Sequence, residues 1–96
     1  MRIISGFLKG KTINYLKNTI TRPLKDNVKE NIFNILQHSS FIDVKIKNSN
    51  VLDLFSGIGS FGIECISREA KKVTFIERDI SAVNTLKKNL INHSII

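Results

Sequence analysis

Ninety-six residues suffice for one small domain, and 42% apolar with 24% charged residues is ordinary for a folded, soluble one rather than a disordered chain. No apolar run approaches the roughly 20 residues that span a bilayer, and the N-terminus lacks a signal-peptide pattern, so the expected compartment is the cytoplasm. The single cysteine, Cys65, excludes an internal disulfide framework and a multi-cysteine metal centre.

The net charge of +7 lies in the first half of the chain. Residues 1–50 carry nine Lys/Arg against three Asp/Glu, whereas residues 51–96 carry six against five. A positive field of this kind concentrates a polyanion such as nucleic acid, although a solvated lysine surface has the same composition.

In chain order, residues 2–20 read as a β-hairpin. Arg2–Ser5 forms one limb, Gly6 to Gly10 a turn with basic residues, and Lys11–Leu16 the return. Thr21-Arg22-Pro23 interrupts the pattern. Asp26 is placed to cap a helix running to about Gln37, with Val28, Ile32, Ile35 and Leu36 as its apolar stripe and Lys25, Lys29 and Glu30 off it. Ser39 to Asn50 is polar and reads as loop, with room for a helical turn at Phe41–Val44.

Val51 to Phe55 is a nearly continuous apolar run, the pattern of a parallel strand covered on both faces. Ser56 to Ser60 is a glycine-rich turn, Phe61 to Glu69 a short helix, and Val73 to Glu77 a second strand rich in β-branched residues. Asp79 is placed to cap a last helix over Ile80–Asn92, with Val83, Leu86 and Leu90 facing inward. The fold class is therefore α/β. A basic hairpin-and-helix extension (1–50) precedes the first βαβα of a doubly wound parallel sheet (51–96), which is incomplete.

The chemistry is carried by Asp53-Leu-Phe-Ser-Gly57-Ile-Gly59-Ser-Phe-Gly62 together with Glu77. Glycines at 57 and 59 let the backbone turn tightly at the carboxyl end of a strand and approach a ligand without Cβ interference. Glu77 ends the next strand beside the same crevice, where a carboxylate can accept ribose hydroxyls. Gly-x-Gly-x-x-Gly with a downstream acid also fits a dinucleotide site. Asp53 weighs against that, because a carboxylate four residues before the first glycine repels a diphosphate. It suits a cationic ligand with an α-amino group and a sulfonium, such as S-adenosylmethionine; the alternative for Asp53 is a turn or capping carboxylate.

Arg2-Ile-Ile-Ser-Gly6, Gly10-Lys11, Thr21-Arg22-Pro23, Val28-Lys29-Glu30, Phe33-Asn34-Ile35-Leu36, Val51-Leu-Asp-Leu-Phe-Ser-Gly57 and Gly59 resemble the bacterial 16S rRNA (guanine-N2)-methyltransferase family. The resemblance runs through essentially the whole chain. It implies a Rossmann-like, S-adenosylmethionine-dependent methyltransferase acting on 16S rRNA or the small-subunit particle. By similarity, Asp53, Gly57 and Gly59 line the methionine part of the cofactor, with Phe55 and Ser56 in the same loop. Glu77 takes the ribose and Arg78 lies beside the adenine. The basic extension, with Lys9, Lys11 and Arg22 as candidate substrate contacts, is implied to help hold RNA.

One departure is informative. Enzymes of this family carry an Asn/Asp-Pro-Pro-Tyr/Phe motif at the end of the fourth strand, which holds the target amino group and stacks on the extruded base. This chain has one proline, Pro23, and no such motif. It is read as the cofactor-binding half, with the catalytic half missing, and is expected to be inactive in isolation.

Two other readings remain at this point: a methyltransferase for another nucleic-acid amino group, and an inactive remnant or RNA-binding module. Cys65 reads as core. His38 suits a helix C-terminus, and neither it nor His93 has a ligand-spaced partner, so no metal is expected. Lys17 joins Lys9 and Lys11 as a candidate phosphate contact, though each alone also fits a solvent-exposed lysine.

Overall fold

The computed structural model describes residues 1–15 and 24–95. Arg22 and Lys17, two of the candidate substrate contacts, lie outside the described residues. The elements run α1 (Asp26–His38), β1 (Asn50–Leu54), α2 (Ser60–Ser67), β2 (Lys72–Ile76) and α3 (Ile80–Asn92). The chain is thus α/β, with β1 and β2 paired in parallel and Val51 opposite Val73, Asp53 opposite Phe75 and Leu54 opposite Ile76. No helix among the described residues is long and apolar enough to cross a membrane.

The two strands alternate strictly. Val51, Asp53, Val73 and Phe75 are half-buried, whereas Leu52, Leu54 and Ile76 are exposed. Two apolar clusters lie on the covered face. One joins Ile3, Leu8 and Ile13 to Ile58, Ile63, Leu86 and Leu90, and the other gathers Phe33, Ile46 and Cys65 under Val51 and Val73. All three helices contribute to these clusters. The expectation of a first strand covered on both faces is therefore not met: an apolar run records what a face is made of, not what lies against it. Phe55, expected to end that strand, has left it with a positive φ of 56°.

The N-terminal segment is hairpin-like but not a two-stranded ribbon. Its ladder is one isolated antiparallel bridge, Arg2 with Thr12, flanked by backbone bonds from Ile3 N to Lys11 O and from Ile13 N to Met1 O. Instead of extending its own ladder, the first limb bonds to α2. Ile4 and Ser5 donate backbone N–H groups to the Glu64 carboxylate, and Leu8 donates to Ser67 Oγ.

The helix over 26–38 forms as expected, but its buried face is not the predicted stripe. Lys29 and Phe33 are buried, while Val28 and Ile35 are exposed. Asp26 is the first helical residue rather than the N-cap; Lys25 holds that position without a side-chain cap bond. Asp26 instead accepts from the Arg2 backbone N–H at 3.2 Å. Phe33 stacks on Phe61 of α2 with ring centroids 4.8 Å apart, and the Arg68 guanidinium lies over the Phe33 ring at 4.3 Å. No helical turn forms at Phe41–Val44, and Phe41 is exposed.

Lys29 goes inside because Glu64 waits there. Its ammonium sits 3.3 Å from Glu64 Oε1, both side chains being wholly buried, and donates to Arg2 O at 2.8 Å and Ser60 Oγ at 3.2 Å. Arg68 donates from Nε to the other Glu64 oxygen at 2.8 Å and from a terminal nitrogen to Gln37 at 3.0 Å. Every charge in this cluster meets an opposite charge and several dipoles, which is the condition for tolerating ions away from water.

Helix α2 approaches the sheet closely because Gly62 has no side chain. A Cβ there would enter the Phe75 ring, with Val73 also in contact range. At the other end of the domain Asp79 caps α3 as expected, accepting from Ala82 N at 2.9 Å. Leu86 and Leu90 are buried as expected and Val83 is half-buried; the polar Thr85 and Asn89 are buried beside them.

Removing one partner of the buried ion cluster leaves an uncompensated charge, so Lys29→Ala is expected to cost about 3–5 kcal/mol. Lys25→Ala, one turn earlier and exposed, is expected to stay within about 0.5 kcal/mol. Urea denaturation of the two variants beside the parent chain checks both.

Candidate functional site

The site is assembled where β1 and β2 end side by side. After Leu54 the backbone turns through Phe55, Ser56 and Gly57 into α2. Ser56 N still donates to Ile76 O at 2.9 Å, so the turn stays tied to the neighbouring strand. Phe55 and Gly57 both have a φ of 56°, and Gly59, the N-cap of α2, has 94°. The left-handed region is costly for a bulky side chain, and a residue held there persists only where its surroundings over-determine it. The Phe55 ring meanwhile stands in the open, 91% exposed.

Glu77 locks the two strand ends together. One oxygen accepts from Gly57 N at 2.8 Å, and the other accepts from Arg78 N at 2.9 Å and Asp79 N at 2.8 Å. These backbone donors, Asp79 and Gly57 foremost, hold its carboxyl below the usual glutamate value. A carboxylate offers about four lone-pair directions, so three are spent on the loops and roughly one remains for an added donor. The sequence reading assigned Glu77 to a ligand alone; the structure gives it a second task, as the tie between the glycine turn and the turn after β2.

Asp53 points from β1 toward the start of α2, where Oδ2 accepts from Gly62 N at 3.1 Å. The capping role considered as its alternative is therefore present. Burial pushes its carboxyl above the usual aspartate value, and the Gly62 N–H opposes this only in part. A half-buried carboxylate with a raised pKa favours a cationic neighbour. Ser56 between the two loops keeps a buried hydroxyl with no hydrogen-bond partner among the described residues.

An open cleft of about 620 Å³ lies beside this turn, lined by Phe55, Glu77, Arg78, Asp79, Ile80 and Ser81. Sequence reasoning missed Ile80, which is 76% exposed at the first position of α3 and presents an apolar wall to the cleft. Its signal was an isoleucine at an N1 position that no core needs. The structure thus brings Asp53, Phe55, Ser56, Gly57, Gly59, Glu77 and Arg78 to one edge of the sheet. Lys9 and Lys11 are exposed on the N-terminal segment and do not line this cleft. Among the described residues no group of His, Cys, Asp and Glu is arranged to hold a metal ion.

Cys65 is buried in the second cluster, where burial first, and the Asp53 and Glu64 charges after it, push its thiol up to about 12. It is protonated at neutral pH and shielded, so it is not a nucleophile. In the native chain it is expected to resist a thiol reagent such as dithionitrobenzoate at pH 8, and to react within minutes in denaturant.

The family described as conserved hypothetical protein 95 matches residues 1–95. A putative rRNA methyltransferase, YlbH of Bacillus subtilis, is 42% identical over 90 residues, which is 94% of this chain and 46% of that protein. The ribosomal RNA small subunit methyltransferase D of Haemophilus influenzae is 46% identical over 90 residues, 94% of this chain and 44% of that protein. The solved structure of the putative methyltransferase yhhF from Escherichia coli superimposes with a TM-score of 0.80 at 32% identity, covering 98% of this chain and 47% of that one. The chain thus spans slightly less than half the length of the relatives it matches.

Proposed function

The chain belongs to the conserved hypothetical protein 95 family, the family of these rRNA methyltransferases, and we propose that it binds S-adenosylmethionine for methyl transfer to the N2 amino group of a guanine in 16S rRNA. The observation that carries the reading is the pairing of two carboxylates of opposite character at adjacent strand ends. Asp53 is half-buried with its pKa raised, and Glu77 is fixed by backbone donors with its pKa lowered. Between them lies a turn in which two glycines leave the backbone bare.

When bound, the cofactor supplies an electrophilic methyl group on a sulfonium centre. The residues of this chain bind and orient it. Asp53 attracts the ammonium group and disfavours an anionic competitor such as a diphosphate. The N-terminal turn of α2 offers backbone donors to the carboxylate of the methionine moiety. Glu77 accepts a ribose hydroxyl at its remaining lone pair. Phe55 and Ile80 offer apolar surface for the adenine, with Arg78 at the edge of the same cleft. Holding the ligand in one pose is a positioning contribution to the reaction. The residues that orient the guanine amino group in this family, an Asn/Asp-Pro-Pro-aromatic segment, are not among these 96. The 96-residue chain alone is accordingly expected to transfer no labelled methyl to small-subunit RNA.

Calorimetric titration with S-adenosylmethionine tests the cofactor reading. Asp53→Ala and Glu77→Ala are expected to weaken binding tenfold or more, a loss of about 1.4 kcal/mol or greater; equal affinity in all three proteins would refute it. The pH dependence has a defined sign. Burial raises the Asp53 pKa, and backbone donors lower that of Glu77. Affinity is expected to fall as pH drops through a value above 3.8, the ordinary aspartate value, and Asp53→Asn to abolish that limb. A raised pKa also means that ionised Asp53 opposes folding above its unfolded pKa, and that the opposition is relieved as pH falls through the folded value. Asp53→Asn is therefore expected to keep or raise stability at pH 7 while losing ligand affinity.

A further inference from the structure

Helix α3 holds a buried polar side chain that lies outside the cofactor cleft. Asn89 is 1% exposed and is followed by Leu90, one turn beyond Thr85 and three residues beyond Leu86. Both leucines belong to the first apolar cluster. Asparagine is a modest helix former, and an amide among apolar side chains is costly unless it is bonded. Among the described residues, the Asn89 side chain bonds to main-chain groups of two distant segments. Its Nδ2 donates to Ile58 O at 3.1 Å and to Asn14 O at 2.9 Å, while Oδ1 accepts from Asn14 N at 2.9 Å. Both amide hydrogens are thereby used. The partners also fix the orientation of the amide: turned over, its oxygen would face two carbonyl oxygens.

Ile58 is the residue between Gly57 and Gly59 in the cofactor turn. A peptide unit is planar, so bonds at its two ends fix the direction of the whole plane. The unit joining Ile58 to Gly59 is held at both ends, its oxygen by Asn89 and its nitrogen by Ser56 O at 2.9 Å. The unit joining Ser56 to Gly57 shares that second bond and is tied through Gly57 N to Glu77. Glu77 thus fixes the turn from the strand side and Asn89 fixes it from the α3 side. Leu86 backs the same turn, since a Cβ at Gly59 would run into its Cδ1. At its other bonds Asn89 clamps Asn14, and one turn further along α3 His93 Nε2 lies 2.9 Å from Thr12 O.

We propose that Asn89 is a positioning residue for the cofactor turn. By holding the Ile58–Gly59 plane it keeps the turn in the shape that receives the methionine end of the ligand, and through Asn14 it links that shape to the seating of the N-terminal segment. The adenosine end is met elsewhere in the cleft, by Glu77, Phe55 and Ile80, so Asn89 acts on one end of the ligand alone. Such a linkage is reciprocal: a ligand that favours the held turn favours the seated Asn14 by the same factor. The inference rests on the reading of this site as one for S-adenosylmethionine, and adds which buried group outside the cleft sets its shape.

The test is titration of the isotopically labelled 96-residue chain with S-adenosylmethionine and with methylthioadenosine, which lacks the amino-acid end. Amide resonances follow weak ligands as well as tight ones. Asn89→Asp keeps the shape and the acceptor for Asn14 N–H and loses both donors, while Asn89→Leu loses all three bonds. Each is expected to weaken S-adenosylmethionine about fivefold or more, the effect of leaving the Ile58 carbonyl unpaired. Each is expected to leave the affinity for methylthioadenosine unchanged. The parent chain gives a second measurement that needs no variant to fold. During its titration with S-adenosylmethionine the Asn89 side-chain amide and the Asn14 backbone amide are expected to shift with the dissociation constant of Gly57 and Gly59. The amides of Ile4 and Ser5, in the same segment but bonded to Glu64, are expected to stay still.

Equal affinity for S-adenosylmethionine in folded variants and parent would overturn the positioning role and leave the cofactor reading standing. Equal losses on both ligands would overturn it too, because a general loosening of the fold weakens both. Unmoved Asn89 and Asn14 signals, in a titration that shifts Gly57, would show the amide to be structural only. A parent chain that takes no S-adenosylmethionine would remove the cofactor reading and the role of Asn89 together.

Discussion

The Glu64 carboxylate is wholly buried, and its two oxygens gather two backbone N–H groups from the N-terminal segment, the Lys29 ammonium from α1 and the Arg68 guanidinium from its own helix. Three parts of the chain, far apart in sequence, meet at one charge. An isolated buried anion is too costly to keep, and a paired one is often no better than a well-packed apolar replacement, so its contribution is chiefly to specificity. The cluster ties the register of the N-terminal limb on α2 to the rotation of α1, because both supply donors to Glu64. Through Lys29 and Ser60 it also reaches the first residue of α2, next to the glycine turn.

The site follows from that fixed helix. With α2 seated against the sheet at Gly62, its N-terminus meets Asp53, and the turn before it meets Glu77. The two carboxylates proposed to meet the ligand also act as struts: each accepts backbone N–H bonds from the turn or the helix start that follows it. A substitution at either one therefore alters the shape of the cradle together with its charge. The opposite face of the strands, with Leu52, Leu54 and Ile76 exposed, is covered by none of the helices among the described residues.

Much of this was legible in the residues. The glycine turn, both parallel strands, and α3 with its Asp79 cap are local patterns, and local patterns survive folding. The site residues 53 to 59 and 77 to 78 converge because strand ends in a parallel pair lie side by side. What could not be read depends on distant partners. Lys29 looked like a solvated residue off the apolar stripe, since nothing near it in sequence announces Glu64. Val28 and Ile35 looked like core for the complementary reason. Phe55 looked like the end of a strand, whereas the left-handed turn that throws it into the cleft is set by the bonds of Ser56 and Gly57. The N-terminal segment was visible as a hairpin pattern; its anchorage to Ser67 and Asn89, distant in sequence, was not.

The claim that Asp53, the glycine turn and Glu77 form one ligand cradle is tested most directly by following backbone amide resonances while S-adenosylmethionine is titrated into the isotopically labelled chain. The account predicts that the amides of residues 53–62 and 77–81 shift together with a single dissociation constant, while the amides around Lys9 and Lys47 stay still. Absence of any shift, or shifts spread over the exposed sheet face and not the turn, would contradict it.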